Sequence, residues 1–231
     1  MRPLPAFTRS SPAAAAPPLP LLLGEARVAR DWAMARWRPR ADAVPRVGRG
    51  EPVLTLPGFL AGDVSMAQMR QTLNAAGFRA KRWKQGPNMG AKADTLARID
   101  ERVRHAAERE GRRVHLVGWS LGGLYAREYA KHHPEHVASV ITMGTPFSGS
   151  RRANHAWRLY QLVARHDVDA PPVPFHPAAK PPVPTFALWS RRDGVVAVDS
   201  ARGTEAERDG AVELDCGHMG FAYVPEAVRA V

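Results

Sequence analysis

One ten-residue stretch, Val114-His115-Leu116-Val117-Gly118-Trp119-Ser120-Leu121-Gly122-Gly123, limits what this chain can fold into more than any other. A β-prone run leads into Gly-x-Ser-x-Gly, and Leu121, Leu124, Tyr125, Glu128 and Tyr129 then recur at helical spacing. Ser120 is therefore expected on a sharp strand-to-helix turn. A side chain at Gly118 or Gly122 would strike neighbouring backbone there, while the serine is lifted off the end of the strand. This is the form of a nucleophile elbow.

On both sides of that turn, apolar runs alternate with amphipathic stretches, which implies βα units and a parallel sheet. Val53-Leu54-Thr55-Leu56 reads as a buried strand ending at Pro57-Gly58. Ser65-Met66-Ala67-Gln68 has the form of a capping box, and the helix it opens runs through Met69 and Leu73 to stop at Gly77. A short strand is expected over 78–83, then a turn-rich loop over 85–90 whose Asn88 and Met89 read as structural. The pattern next predicts a helix over 91–110, with Leu96, Ile99, Val103 and Ala107 on one side. Beyond the elbow helix come a strand over 137–143, a helix over 154–165, a proline-rich run over 171–184, and strands at 185–189 and 212–214.

Five segments, Leu56-Pro57-Gly58-Phe59, Gly118-Trp119-Ser120-Leu121-Gly122-Gly123, Gly144-Thr145-Pro146-Phe147, Asp193-Gly194-Val195-Val196 and Gly217-His218-Met219-Gly220, fall in one order along the chain. Together they resemble the α/β-hydrolases, especially bacterial lipase- and esterase-like members, over about residues 50 to 225. The resemblance implies an α/β fold: a mostly parallel central sheet with helices on both faces and a short cap. Composition divides the chain into an N-terminal extension over 1–45, a Pro/Ala-rich segment expected to be disordered plus one helix, and a hydrolase domain over 46–231. A cap or lid would occupy about 150–184, where a plain connecting loop is the other reading. The resemblance also implies an oxyanion hole made by the backbone N–H groups of Phe59 and Leu121. Two positions depart from the family pattern: Pro57 stands where many members have histidine, and Phe147 where a polar residue is frequent.

A serine hydroxyl needs a base to become a useful nucleophile, and that base needs a carboxylate to hold its tautomer and orientation. Ser120, Asp193 and His218 each follow a predicted strand, so a parallel sheet would bring all three to one edge, in the chain order of this fold. Asp199 is the main rival for the acid, and Asp215 is too near His218 in sequence to orient it comfortably. The chemistry implied is two-step acyl transfer, which needs neither a metal nor an organic cofactor. Around the site, Leu60, Trp119, Phe147, Met219 and Phe221 would favour an apolar group, pointing to a small-molecule or lipid ester. An acyltransferase on the same scaffold, or a non-catalytic relative that binds a membrane or partner, are the alternatives.

At 231 residues and 45% hydrophobic content the chain can bury one sizeable core. Its net charge of +11 comes mostly from scattered arginines, as on a solvated surface, although peripheral contact with anionic membranes stays open. No zinc-ligand cysteine spacing or nucleic-acid-binding signature accompanies that charge, which argues against nucleic acid. The one cysteine, Cys216, excludes an intramolecular disulfide and is expected to pack beneath His218. No run of about eighteen apolar residues is present, so no membrane span is expected. A cytoplasmic location is the expectation, with export the alternative if the proline-interrupted N-terminus is a signal. From Leu21 to Trp37 the pattern is helical, with Leu22, Ala26, Ala29, Ala33 and Trp37 close to one face and Glu25, Arg27, Arg30 and Arg36 largely on others. Such a helix either docks on the domain or lies on a membrane or partner.

Overall fold

A computed structural model describes residues 15–26, 44–172 and 175–231. The expectations for residues 1–14, for Ala29, Ala33 and Trp37, and for the linker up to residue 43 lie outside that range. Six strands, β1 (Pro52–Leu56), β2 (Arg79–Arg82), β3 (Val114–Trp119), β4 (Val137–Met143), β5 (Thr185–Trp189) and β6 (Gly210–Glu213), form one sheet in the order β2-β1-β3-β4-β5-β6. Every neighbouring pair is parallel, so among the described residues the sheet is wholly rather than mostly parallel.

Parallel strands need crossovers, and helices supply them. Following α1, described over residues 19–26, are α2 (Ala67–Ala75), α3 (Thr95–Glu110), α4 (Leu121–His132), α5 (Trp157–Ala164), α6 (Val198–Arg202) and α7 (Pro225–Ala230). Successive strand residues face opposite sides, and the core follows that period. Leu54, Leu56 and Leu116 pack with Ile99, Val103, Tyr125 and Tyr129 of α3 and α4. Val53, Val117 and Trp119 pack with Met69 and Leu73 of α2 and Ala227 and Val228 of α7. Burial on both faces is why these strands read as apolar runs and not as alternating ones.

Several boundaries differ from the sequence reading. Ser65 does not cap a helix; its hydroxyl donates to Gly62 O at 2.7 Å within a 3-10 turn, Asp63–Met66, that precedes α2. α3 begins at Thr95 instead of residue 91, because Ala91 N–H donates to the Tyr160 hydroxyl and Lys92 N–H to Thr95 Oγ1. The last strand lies over Gly210–Glu213, earlier than expected. On α1 the polarity is reversed: Glu25 is buried and Ala26 exposed. Among the described residues no helix is long and apolar enough to cross a membrane.

Candidate active site

The elbow can form only because glycine occupies its tightest positions. A Cβ at Gly118 would collide with the backbone of Gly122 and Gly123, and one at Gly122 with the carbonyls of Leu56 and Pro57. Ser120 itself sits at φ 52°, ψ −120°, a conformation that costs a non-glycine residue about 1–3 kcal/mol. Its N–H donates to Met143 O at 2.8 Å, which fixes the turn against the end of β4.

Asp193 and His218 meet at that same edge. Asp193 Oδ2 accepts a hydrogen bond from His218 Nδ1 at 2.8 Å, and both side chains are almost wholly buried. Asp193 Oδ1 accepts the N–H groups of Val195 and Val196, each at 2.8 Å, so the carboxylate is oriented by its own turn. A carboxylate can only accept, which assigns the proton to Nδ1 and leaves Nε2 as the free acceptor. Gly144, next to Met143, lies so close that a Cβ would sit 3.0 Å from both His218 Nδ1 and Asp193 Oδ2. The end of β4 therefore touches both the serine turn and the acid–imidazole pair. The third link is not formed: Ser120 Oγ has no hydrogen-bond partner among the described residues. In unliganded sites such links are often long and tighten only with substrate.

Burial works against a charge on His218, but Asp193 and, behind it, Glu25 outweigh burial and raise the imidazole above its ordinary value of 6.5. The rival acids are elsewhere, Asp199 paired with Arg202 and Asp215 with Arg192, all at the surface. Among the other histidines, His115 Nδ1 contacts Ser139, His132 and His133 lie against Glu128 and Glu135, and His166 lies against Tyr160. Cys216 is buried, and its thiol is pushed up to about 12 by burial and nearby carboxylates, so it is inert as a nucleophile.

The two backbone donors named from the sequence, Phe59 N–H and Leu121 N–H, have no acceptor among the described residues and both border the cleft above Ser120. The loop that carries Phe59 is held by buried Asn88. Its Nδ2 donates to Pro57 O at 2.9 Å, and its Oδ1 accepts from Gly90 N and the Tyr125 hydroxyl. Its main chain pairs with Leu60 and Ala61, where Leu60 takes φ 60°.

Residues 92–170 match the family model described as alpha/beta hydrolase fold. Over 80% of this chain and 92% of the other, the structure superposes with TM-score 0.56 on a metagenome-derived lipolytic enzyme of the LipS and LipT pair, at 18% identity. The chain is an α/β-hydrolase-fold protein. The pyrethroid hydrolase PytH shares that fold with TM-score 0.57 and 17% identity over 78% of this chain and 95% of its own. Among curated proteins, the pimeloyl-[acyl-carrier protein] methyl ester esterase of Vibrio cholerae serotype O1 is 34% identical over 73 residues, 31% of this chain. That match spans 28% of the esterase, under a third of its length.

In this α/β-hydrolase-fold chain the cleft above Ser120 has about 730 Å³ of space, including its open mouth. Leu124, Trp157, Tyr160, Phe175 and Val196 line it with Phe59 and Leu121. The cap supplies most of that wall, through α5 and the segment after it. Arg151 also borders the cleft, its guanidinium donating to Val168 O and Phe175 O. From the far side, buried Arg127 of α4 donates to the carbonyls of Pro177, Ala178, Ala179 and Glu207 and stacks over Phe147 at 4.1 Å.

None of the five side chains expected to bind substrate lines this cleft. Phe147 and Phe221 are fully buried in packing, Met219 rests against the core beside α7, and Leu60 points into solvent at 47% exposure. Trp119 is internal too, its indole N–H donating to His218 O at 3.0 Å, so it ties the elbow to the histidine loop. Nearness in sequence to the expected site motifs suggested them, but the strand residue beside Ser120 projects from a face of the sheet, where Trp119 packs with Met69 and Leu73. Of the aromatics that do line the cleft beyond the elbow, Trp157 and Tyr160 were visible only as part of a helix over 154–165, and Phe175 only as part of the proline-rich run.

Proposed function

We propose that the protein is a serine hydrolase of carboxylic esters that works through an acyl-enzyme. Ser120 attacks the ester carbonyl while Nε2 of His218 takes its proton. Asp193 holds the imidazole and stabilises its charged form, and the N–H groups of Phe59 and Leu121 receive the oxyanion. The alcohol leaves with the proton from His218, and water, activated by the same base, releases the acid. The observation that carries this reading is the buried Asp193–His218 hydrogen bond at the strand edge beside an elbow serine, with Phe59 and Leu121, whose N–H groups have no acceptor among the described residues, bordering the cleft above that serine. The aromatic and aliphatic lining of the cleft supports an ester whose acyl or alcohol part is apolar. The esterase name of the curated relatives agrees with that chemistry.

A fluorophosphonate probe and a chain-length series of p-nitrophenyl esters test the proposal. Wild-type protein should be labelled at Ser120 and should turn over the esters. Ser120→Ala should abolish labelling and lower kcat/KM by at least about 10³-fold. Well-folded wild-type protein that neither labels nor hydrolyses any ester would overturn it.

A further inference from the structure

We infer that Glu25, on the N-terminal helix α1, is a positioning residue of this site, holding the acid loop and the histidine loop in one geometry. The inference rests on the ester-hydrolase reading above. Glu25 is 169 residues from Gly194 and 193 from His218, yet its carboxylate lies between their loops. Oε1 accepts Gly194 N–H at 3.0 Å and His218 N–H at 2.6 Å, and Oε2 accepts Met219 N–H at 3.2 Å. The residue is only 8% exposed.

A buried carboxylate is costly unless donors replace its water, and three N–H groups do so here with charge-assisted bonds. Among the described residues Glu25 makes no ion pair with a lysine or arginine. The cation it can favour is the imidazolium that His218 becomes on taking the serine proton, in a site with little water to screen the interaction. Asp193 fixes the ring; Glu25 fixes the backbone that carries the ring and, at the same time, the turn that carries Asp193.

The docking is close along its length. A Cβ on Gly194 would collide with Leu21 O, so only glycine lets α1 lie on the residue after Asp193. His155 Nε2 reaches Pro17 O at 2.7 Å, and His155 N–H donates to Val195 O, joining the start of the segment to the same turn. Other groups against the imidazole are few: the carboxylate of Asp193 from the β5 loop and the rings of Trp119 and Phe221, with Asp193 and Glu25 the charges acting on it.

The test uses full-length Glu25→Gln and Glu25→Asp. Three readouts are followed against pH: the rate of fluorophosphonate labelling at Ser120, the NMR titration of the His218 ring, and the melting temperature. In E25Q the His218 midpoint should fall, the acid limb of labelling should move to lower pH, and the plateau rate should drop roughly 10- to 100-fold, as when other outer-sphere supports are lost. E25D keeps the charge but shortens the reach, so its acid limb should stay while its plateau drops. A wild-type labelling rate and unmoved limb in E25Q, with or without a lower melting temperature, would overturn the inference. If E25Q does not fold, a wild-type plateau in E25D would do so. If wild-type protein is not labelled at all, the ester-hydrolase reading fails by itself. The NMR titration still decides Glu25, since an unmoved His218 midpoint in E25Q counts against it.

Discussion

At the residue scale, His218 sits between opposing influences. Burial disfavours its cation, Asp193 and Glu25 favour it, and the balance lies above 6.5. In the proposed mechanism the base must be neutral to accept the serine proton, so kcat/KM should rise with pH through that raised midpoint. Asp193→Asn should shift the acid limb to lower pH and, by releasing the tautomer, lower the rate about 10⁴-fold; ester assays across pH on both proteins check this. The stability effect has the opposite sign. The folded chain holds this proton more tightly than the unfolded one, so the contribution is complete below the unfolded midpoint and is lost as pH rises through the folded value. The meeting of Asp193 and His218 at the strand edge was legible because both, like Ser120, follow a strand within a short motif. Glu25 was not: on a helical wheel it looks solvated, and backbone amides far along the chain leave no side-chain signature. Trp119 was misjudged for a related reason, since an aromatic beside a nucleophile suggests a pocket wall, while its partner is a main-chain carbonyl.

At the scale of elements, strands buried on both faces announced themselves as apolar runs, and β4 and β5 lie where the pattern put them. Helix starts were harder to place, because residues 91–94 are held by Tyr160 and Thr95 and not by a helical ladder. The loop proposed to supply the Phe59 oxyanion donor is the element whose support the sequence hid most fully. Its geometry depends on Asn88, which read as ordinary turn chemistry. Asn88→Ala should leave the Pro57 carbonyl and Tyr125 hydroxyl unpaired, destabilising the fold by about 1–3 kcal/mol. It should also lower kcat, up to the roughly 10²- to 10³-fold that a lost oxyanion donor costs, with KM changed much less. Urea unfolding and steady-state kinetics measure the two effects separately.

For the whole molecule, the cleft belongs to no single element: the sheet edge gives its floor and the cap its aromatic wall. Leu124→Trp would fill part of that space without touching the catalytic groups. Short-chain p-nitrophenyl esters should keep most of their kcat/KM while long-chain ones lose it, and an unchanged chain-length profile would place the acyl group elsewhere. The four carbonyls gathered by Arg127 have a consequence for anyone re-engineering specificity. Its guanidinium is buried deeply enough to be lowered to about 10, and it fastens residues 177–179 to the underside of the elbow helix. A transplanted cap that replaced those residues would strand an arginine in dry protein, at a cost of several kcal/mol. Loop exchange is therefore confined to the stretch before Pro177, and the far end of the cap is inherited with the scaffold.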